Sequence, residues 1–365
     1  MGKVIKLKTG WKWESRIMVD GKRTNKSKSG FKTKKEAEIA LQMYETDFIR
    51  GGMIEPSRML YLDLISEWLE TKSSHFNIQT SKVYKTNIKN RILPNLGRYR
   101  LNDLNKRIIQ RFINELHKEG LSPGTIKKIY NNVRSSLNYA LNMNYIPKEL
   151  TNGITLPREQ KKEMNVWSKS EILRFLDKNK NHPKFLVFQL AITTGLRRGE
   201  ILGLRWQDID FTDTKLFVKQ TLSSDSKTIL TGAKTNSSIR AITLIDQSLQ
   251  LLKEQLLKRK EYCLANGIIF SKETLIFINE NGNPYDTHNL RRTFISMIKK
   301  SNVPLIRFHD LRHTHATLLL QENTNVKVIS ERLGHKSIKI TLDTYSHVTP
   351  HMQEEVTKKL NSFFG

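Results

Sequence analysis

Apolar positions along the chain follow two periods, and the change from one to the other divides it. Near the start, Trp11, Trp13, Ile17 and Val19 fall on alternate positions with Lys12, Glu14, Arg16 and Met18 between them, the period of a half-buried strand. Asp20-Gly21 is a turn signal, and a second strand is expected over about residues 22–28. Thr33 and Glu36 have capping-box spacing, and Ala37, Ala40, Leu41 and Tyr44 continue as a helical stripe. The pattern is a small strand-strand-helix module ending near Gly51-Gly52; two tryptophans at strand spacing weigh against the alternative, a basic disordered arm.

From Ser57 to Gly153 the period becomes helical. Leu62, Ile65, Trp68 and Leu69 form one stripe, and Ile108, Phe112, Ile113 and Leu116 form another, closed by Gly120 in the stop position. Ser122-Pro123 opens a third helix, striped by Ile126, Ile129, Val133, Leu137 and Ala140, with Lys127, Lys128 and Arg134 off the stripe. Residues 151–165 are polar and without period, as in a linker. The remainder mixes helices with β-like runs at 216–221 and 240–244 that flank a segment rich in Ser, Gly, Lys and Asn. No fixed-period repeat is present.

Composition adds a partner. The 365 residues carry 62 basic and 35 acidic side chains, a formal charge of +27, which is best complemented by a polyanion, nucleic acid before an acidic membrane surface. The first 35 residues hold 12 Lys or Arg against Glu14 and Asp20 alone. The single cysteine, Cys263, excludes an intramolecular disulfide and a cysteine zinc cluster, and no apolar run approaches a membrane span or a signal core. A soluble, non-exported protein of a reducing interior compartment is expected, with no membrane partner.

Candidate chemistry sits in short islands of the second half. In Thr193-Thr194-Gly195-Leu196-Arg197-Arg198-Gly199-Glu200, the spacing of Arg197, Ile201 and Leu204 puts Arg197 at the head of an inward stripe. A guanidinium there needs an anion: either Glu200 as a structural ion pair, or an external oxyanion with Glu200 orienting the arginine. In the second island, 308–319, His309, Arg312, Ala316 and Leu319 share a helical face, so two donors converge as a phosphate site would require. His309 and His313 at i and i+4 also admit a metal, weakly, since the hydrolase glutamate is missing. Gly334 ends a helix over 325–333 and Ser337 caps the next, on which Ile338, Thr341, Leu342 and Tyr345 share a face. Taken singly, Tyr345 reads as core, His335 as a helix-end hydrogen bond and Lys234 as solvated surface.

Taken in order, Thr-Gly-Leu-Arg197-x-x-Glu200, Lys234 in Gly-Ala-Lys-Thr, His309-x-x-Arg312, Leu-Gly-His335 and Tyr345 ten residues later resemble the tyrosine recombinase (phage integrase) family. The likeness is strongest over 193–348; the basic module and helical middle are similar to the arm-binding and core-binding domains of integrases from phages and conjugative transposons. It implies a multidomain α+β chain: an arm-DNA-binding domain over 1–55 with a three-stranded sheet and a helix, an all-helical core-binding domain over 56–153, and over 154–365 a mainly helical catalytic domain with a small antiparallel sheet and a C-terminal tail.

The resemblance also implies roles. Tyr345 attacks the phosphorus to give a 3′-phosphotyrosyl link, Arg197 and Arg312 clamp the nonbridging oxygens, His309 accepts the phenol proton, Lys234 protonates the leaving 5′ oxygen, and His335 bonds the phosphate. Lys219 and Lys227 compete with Lys234. Glu200 orients Arg197, while Asp310 and His313 orient neighbours. No cofactor, metal or ATP is implied. DNA contacts are expected from Lys12, Arg16, Lys22, Arg23, Lys26 and Lys28 at arm sites and from Lys127, Lys128 and Arg134 at the core. Trp11 and Trp13 are expected in the core of their module. The implied partners are duplex DNA, a homotetramer on it, and accessory DNA-bending and directionality proteins, and the resemblance implies the bacterial cytoplasm with nucleoid association. The tail, with Val356, Leu360, Phe363 and Phe364 on a helix over 352–363, packs on its own domain or on a neighbouring protomer. A type IB topoisomerase shares the chemistry but lacks an arm module, and a non-catalytic DNA-binding regulator would be expected to have lost a member of the set.

Overall fold

The computed structural model describes residues 2–19, 22–49, 59–73, 78–159, 165–231, 240–345, 357 and 360–364. It divides into two compact units, Met1–Lys161 and Lys162–Gly365.

The first unit begins with an antiparallel sheet of β1 (Lys3–Leu7), β2 (Gly10–Val19) and β3 (Lys22–Phe31) in the order β1-β2-β3, followed by α1 (Lys34–Ile49). Alternation along β2 directs Trp13 and Ser15 to the helix: Trp13 is buried with its ring 4.4 Å from that of Tyr44, and Ser15 Oγ donates to Glu45 Oε1 at 3.1 Å. Trp11 is only half-buried, with Lys6 over its ring. The capping box forms, with the Glu36 N–H donating to Thr33 Oγ1 at 3.2 Å and the Thr33 N–H to Glu36 Oε2 at 3.3 Å. Val4 and Ile5 are adjacent in β1, so strict alternation does not show it; its backbone is held by β2. The Asp20-Gly21 turn and Gly51-Gly52 lie outside the described residues.

Among the described residues, six helical segments follow: α2 (Tyr61–Ser73), α3 (Ile78–Asn87), a π turn (Ile88–Ile92), α4 (Leu93–Leu96), α5 (Lys106–Lys118) and α6 (Pro123–Asn142). Their core holds Trp68, Phe112, Ile113, Ile129, Val133 and Leu137. Ser122 Oγ accepts from the Thr125 N–H at 3.3 Å, and Gly120 stops α5 at φ +80°. One expected core position is corrected: Leu62 is 42% exposed, because α2 buries Tyr61, Leu64, Ile65 and Trp68 instead, the Tyr61 hydroxyl meeting Ser136 Oγ at 2.7 Å. The expected linker also starts later. Thr151 is buried and accepts from the Tyr130 hydroxyl, and Gln110 bonds both the N–H and the carbonyl of Thr155, so 151–156 belong to the bundle.

The second unit contains α7 (Lys169–Asn179), α8 (Phe185–Thr194), α9 (Arg198–Leu202), β4 (Ile209–Asp210), β5 (Lys215–Val218), β6 (Gln220–Leu222), β7 (Ile229–Thr231), β8 (Arg240–Thr243), α10 (Asp246–Ala265), α11 (Thr287–Ser301), α12 (Phe308–Gln321), α13 (Val326–Leu333) and α14 (Ile338–Tyr345). The strands form a β4-β5-β8 sheet and a β6-β7 hairpin, both antiparallel. α8 is apolar on nearly every side because it runs through the centre of this core. There Phe188 stacks on Phe294 with centroids 5.1 Å apart, and Phe175 and Trp167 close around them. Ser168 and Glu171 form a capping box at the start of α7. Residues 360–364 are helical, with Phe363 and Phe364 exposed.

Phe188 is wholly buried, so Phe188→Ala is expected to cost about 3–5 kcal/mol of stability. Urea unfolding followed by tryptophan fluorescence measures it; a loss below about 1 kcal/mol would mean that this aromatic cluster is not the centre of the core.

Candidate active site

The site gathers where helices of the second unit end. α8 stops at Gly195, in the left-handed region at φ +68°, and α13 stops at Gly334, at φ +69°. A Cβ at Gly195 would lie 2.6 Å from His315 Cδ2 and 2.7 Å from Leu333 Cδ2, so glycine is required there by both backbone and space. These ends leave carbonyls without helical donors. Arg312, on α12 and buried, takes two of them: Nη1 donates to Gly195 O at 2.9 Å and Nη2 to Leu333 O at 2.7 Å.

Arg197 is not at the head of an inward stripe as expected. α9 is only five residues long, and Arg197 is its N-cap in extended conformation with a side chain 41% exposed. The buried group is Glu200. Its Oε1 accepts from Arg197 Nη1 at 2.8 Å and from Arg240 Nη1 at 3.2 Å; its Oε2 accepts from the Arg197 N–H at 2.8 Å and from Arg240 Nη2 at 2.9 Å. Burial pushes the carboxyl pKa up, but the Arg240 and Arg197 bonds and charges outweigh it and the net shift is downward.

The histidines line the same region. His309, in the first turn of α12, keeps solvent access; desolvation by the surrounding protein and the nearby Arg312 and Arg197 charges lower its pKa. His335 Nδ1 meets Thr341 Oγ1 at 2.8 Å, which leaves Nε2 for a ligand, and burial with the Arg312 and Arg197 charges pushes its pKa down to about 4. His313 packs edge-to-face on His309, centroids 5.0 Å apart, and is likewise pushed down to about 4 by burial and the His309 charge. Asp310 orients Arg307, accepting from its N–H at 2.7 Å and from Nη2 at 2.8 Å.

Thus Arg197, His309, Arg312 and His335 share one region with Glu200. Lys234 lies outside the described residues. Tyr345 ends α14, and its side chain is outside the described part; on that helix Thr341 is buried while Ile338 and Leu342 are exposed, so the expected shared apolar face is not formed. Lys219 reaches Asp208 at 3.8 Å, and Lys227 is exposed in the β6-β7 turn. Among the described residues, no group of three or more His, Cys, Asp or Glu is placed to hold a metal ion, and no helix is long and apolar enough to cross a membrane.

Three participants had no signal that local pattern could supply. Arg240 opens a strand, and Arg332 and His315 lie on helices; they meet only through the fold. His315 Nδ1 meets Ile192 O at 2.8 Å, which makes it the protonated nitrogen, and Nε2 accepts from Arg332 Nε at 3.3 Å. Arg205 with Asp208, and Arg307 with Asp310, repeat the Arg-x-x-acid device of Arg197 and Glu200, a spacing visible in the sequence.

Of the basic residues expected on DNA, Lys127, Lys128 and Arg134 are exposed on α6. In the sheet, register puts Lys26 opposite Ser15 and Lys28 opposite Trp13, on the face that meets α1, whereas Lys12 and Arg16 lie on the other face. Lys12 pairs with Glu14 at 2.7 Å. The side chains of Lys22 and Arg23 are outside the described part.

Comparison with known proteins gives the family. Residues 165–352 match the phage integrase family, 61–117 the N-terminal SAM-like domain of phage integrases, and 4–48 an arm DNA-binding domain. A tyrosine recombinase XerC-like protein of Caldanaerobacter subterraneus subsp. tengcongensis is 32% identical over 358 residues, covering 91% of this chain and 90% of that protein. The ICEBs1 integrase of Bacillus subtilis is 30% identical, covering 78% of this chain and 79% of its own. Among solved structures, the Tn1549 transposon integrase in complex with transposon right end DNA has a TM-score of 0.71 at 19% identity, covering 83% of this chain and 100% of that one. A lambda integrase dimer bound to a COC′ core site has a TM-score of 0.62 at 20% identity, covering 93% of each. The chain belongs to the phage integrase family and is a site-specific tyrosine recombinase.

The low histidine pKa values carry a sign. The ordinary value is about 6.5, so as pH falls from 6.5 towards 4 the unfolded chain binds protons that folded His313, His315 and His335 do not, and stability is lost across that window. Glu200, lowered in the fold, adds its loss only below the ordinary carboxylate range. Thermal unfolding midpoints measured from pH 7 to 4 should fall steadily below 6.5; a flat profile would show that these rings are not held neutral.

Proposed function

We propose that the chain integrates and excises a mobile element by cutting and rejoining DNA through a 3′-phosphotyrosyl intermediate. The observation that supports this most is the gathering of Arg197, Arg312, His309 and His335 in a region where the buried Glu200 carboxylate is shared between two guanidinium groups. In this reading the phosphodiester lies against Arg197 and Arg312, whose forks draw charge from its nonbridging oxygens. His335 donates to the phosphate once the anion raises its pKa. The Tyr345 phenol, ordinarily near pKa 10, is made nucleophilic by the surplus positive charge, with His309, neutral at working pH, as proton acceptor. Lys234 protonates the departing 5′ oxygen. The phosphotyrosyl link conserves the bond energy, so rejoining needs neither ATP nor metal.

The chain works in three parts, 1–55 on arm sites, 56–153 on the core site and 154–365 in catalysis. Lys12 and Arg16, on the sheet face turned away from α1, together with Lys127, Lys128 and Arg134 on α6, are the described candidates for DNA contacts; Lys26 and Lys28 contribute from the sheet's other face. The lambda integrase, solved as a tetramer bound to a Holliday junction, is the model for a homotetramer here. The reaction takes place in bacterial cytoplasm, on the nucleoid, with DNA-bending and directionality proteins as accessory partners.

The test incubates the chain with nicked duplexes tiled across the DNA that flanks its own coding sequence and looks for a covalent adduct. Wild type forms the adduct equally with and without EDTA; Tyr345→Phe binds the same duplex and forms none. Arg197→Gln slows cleavage by about 10²–10³-fold. An adduct with Tyr345→Phe, or abolition by EDTA, would overturn the assignment. Duplex affinity should fall by about 10³–10⁵ between 50 and 200 mM salt if six to ten phosphates are contacted. A slope near zero would contradict phosphate-dominated binding.

A further inference from the structure

Arg240 lies behind Arg197, away from solvent. Its side chain is 7% exposed, against 41% for Arg197, and it grips both oxygens of Glu200 as a fork while Arg197 gives that carboxylate a single side-chain bond. A carboxylate serving only as counterion to Arg197 would be expected to take the fork from Arg197 itself. Here the bidentate partner is the buried guanidinium. Arg197 keeps Nε, and Nη2 has only a long 3.5 Å approach to Gly334 O.

The charge count gives the consequence. Arg197 and Glu200 alone would be neutral, and a neutral pair attracts a phosphate weakly. With Arg240 the cluster carries one net positive charge, and its exposed donors all belong to Arg197. Arg240 is itself fixed from a third direction, Nε donating to Arg332 O at 2.8 Å at the end of α13. A Cβ on Gly334 would come within 2.8 Å of Arg240 Nη1, so the residue preceding His335 must be small for this contact to exist. Arg240 also opens β8, paired to Val218, six residues after Lys234.

We propose that Arg240 is a positioning residue of the recombinase: it occupies the Glu200 carboxylate so that Arg197 keeps its orientation and its positive charge for the scissile phosphate. The inference rests on the phosphate role of Arg197 proposed above.

The experiment measures single-turnover adduct formation on the duplex that the wild-type chain cleaves, alongside duplex affinity and thermal midpoint. Arg240→Gln should slow cleavage by roughly 30-fold or more while affinity changes less than about threefold, because binding is spread over many phosphates. Arg240→Lys, which keeps the charge, should stay within about tenfold of wild type. The deciding variant combines Arg240→Gln with Glu200→Gln. With no carboxylate left to neutralise Arg197, it should cleave about fivefold faster than Arg240→Gln alone, a rescue that a purely structural role would not produce. Unchanged cleavage in Arg240→Gln, or a double variant no faster than it, overturns the inference while leaving Arg197 in place. If Arg240→Gln does not fold, Arg240→Lys decides: a loss as deep as that of Arg197→Gln overturns it. Normal cleavage by Arg197→Gln removes the phosphate reading and this inference together.

Discussion

The catalytic unit is organised around one buried carboxylate. Glu200 accepts four hydrogen bonds, two on each oxygen, from the side chain and backbone of Arg197 and from the fork of Arg240. A carboxylate removed from water is tolerable only when its lone pairs are matched in this way, and the same matching ties together the N-terminus of α9, the first residue of β8 and, through Arg332 O, the end of α13. Three segments far apart in sequence are therefore held by a single charge. Removing Glu200 would leave the buried Arg240 guanidinium without its carboxylate, so the cluster forms as a unit.

Arg312 solves a different problem. It has neutral partners, the carbonyls of Gly195 and Leu333, at places where helices end in left-handed glycines. These carbonyls need donors, and a guanidinium supplies two of them from one side chain. The helix ends thus fix the orientation of a buried cation. An anion arriving in this region meets dipoles and charges already in place, which is the condition under which electrostatic stabilisation is strongest.

The histidines follow from the same field. Surrounded by arginines and partly desolvated, His309, His313, His315 and His335 are all shifted towards the neutral form. Neutral imidazoles do not add to the repulsion among the guanidinium groups, and each keeps an acceptor nitrogen. His315 uses its acceptor to hold Arg332, whose Nη2 bonds Thr193 O at 3.1 Å and so ties α13 to the end of α8.

Much of this was legible in one dimension. Alternation in β2, the stripes of α5 and α6, the caps at Thr33 and Ser122, and the stops at Gly120 and Gly334 are local consequences of backbone geometry, and local pattern determines them. The order of Arg197, His309, Arg312 and His335 was readable too, because each sits in a short segment whose neighbours set its place. Tertiary structure alone decided which guanidinium is buried and which exposed, that Leu62 turns outward while Tyr61 and Leu64 turn inward, and that residues after 151 join the bundle. Arg240, Arg332 and His315 acquire their partners across 17 to 139 positions. No periodicity encodes such a distance, because a hydrogen bond between remote segments exists only after the core has brought them together.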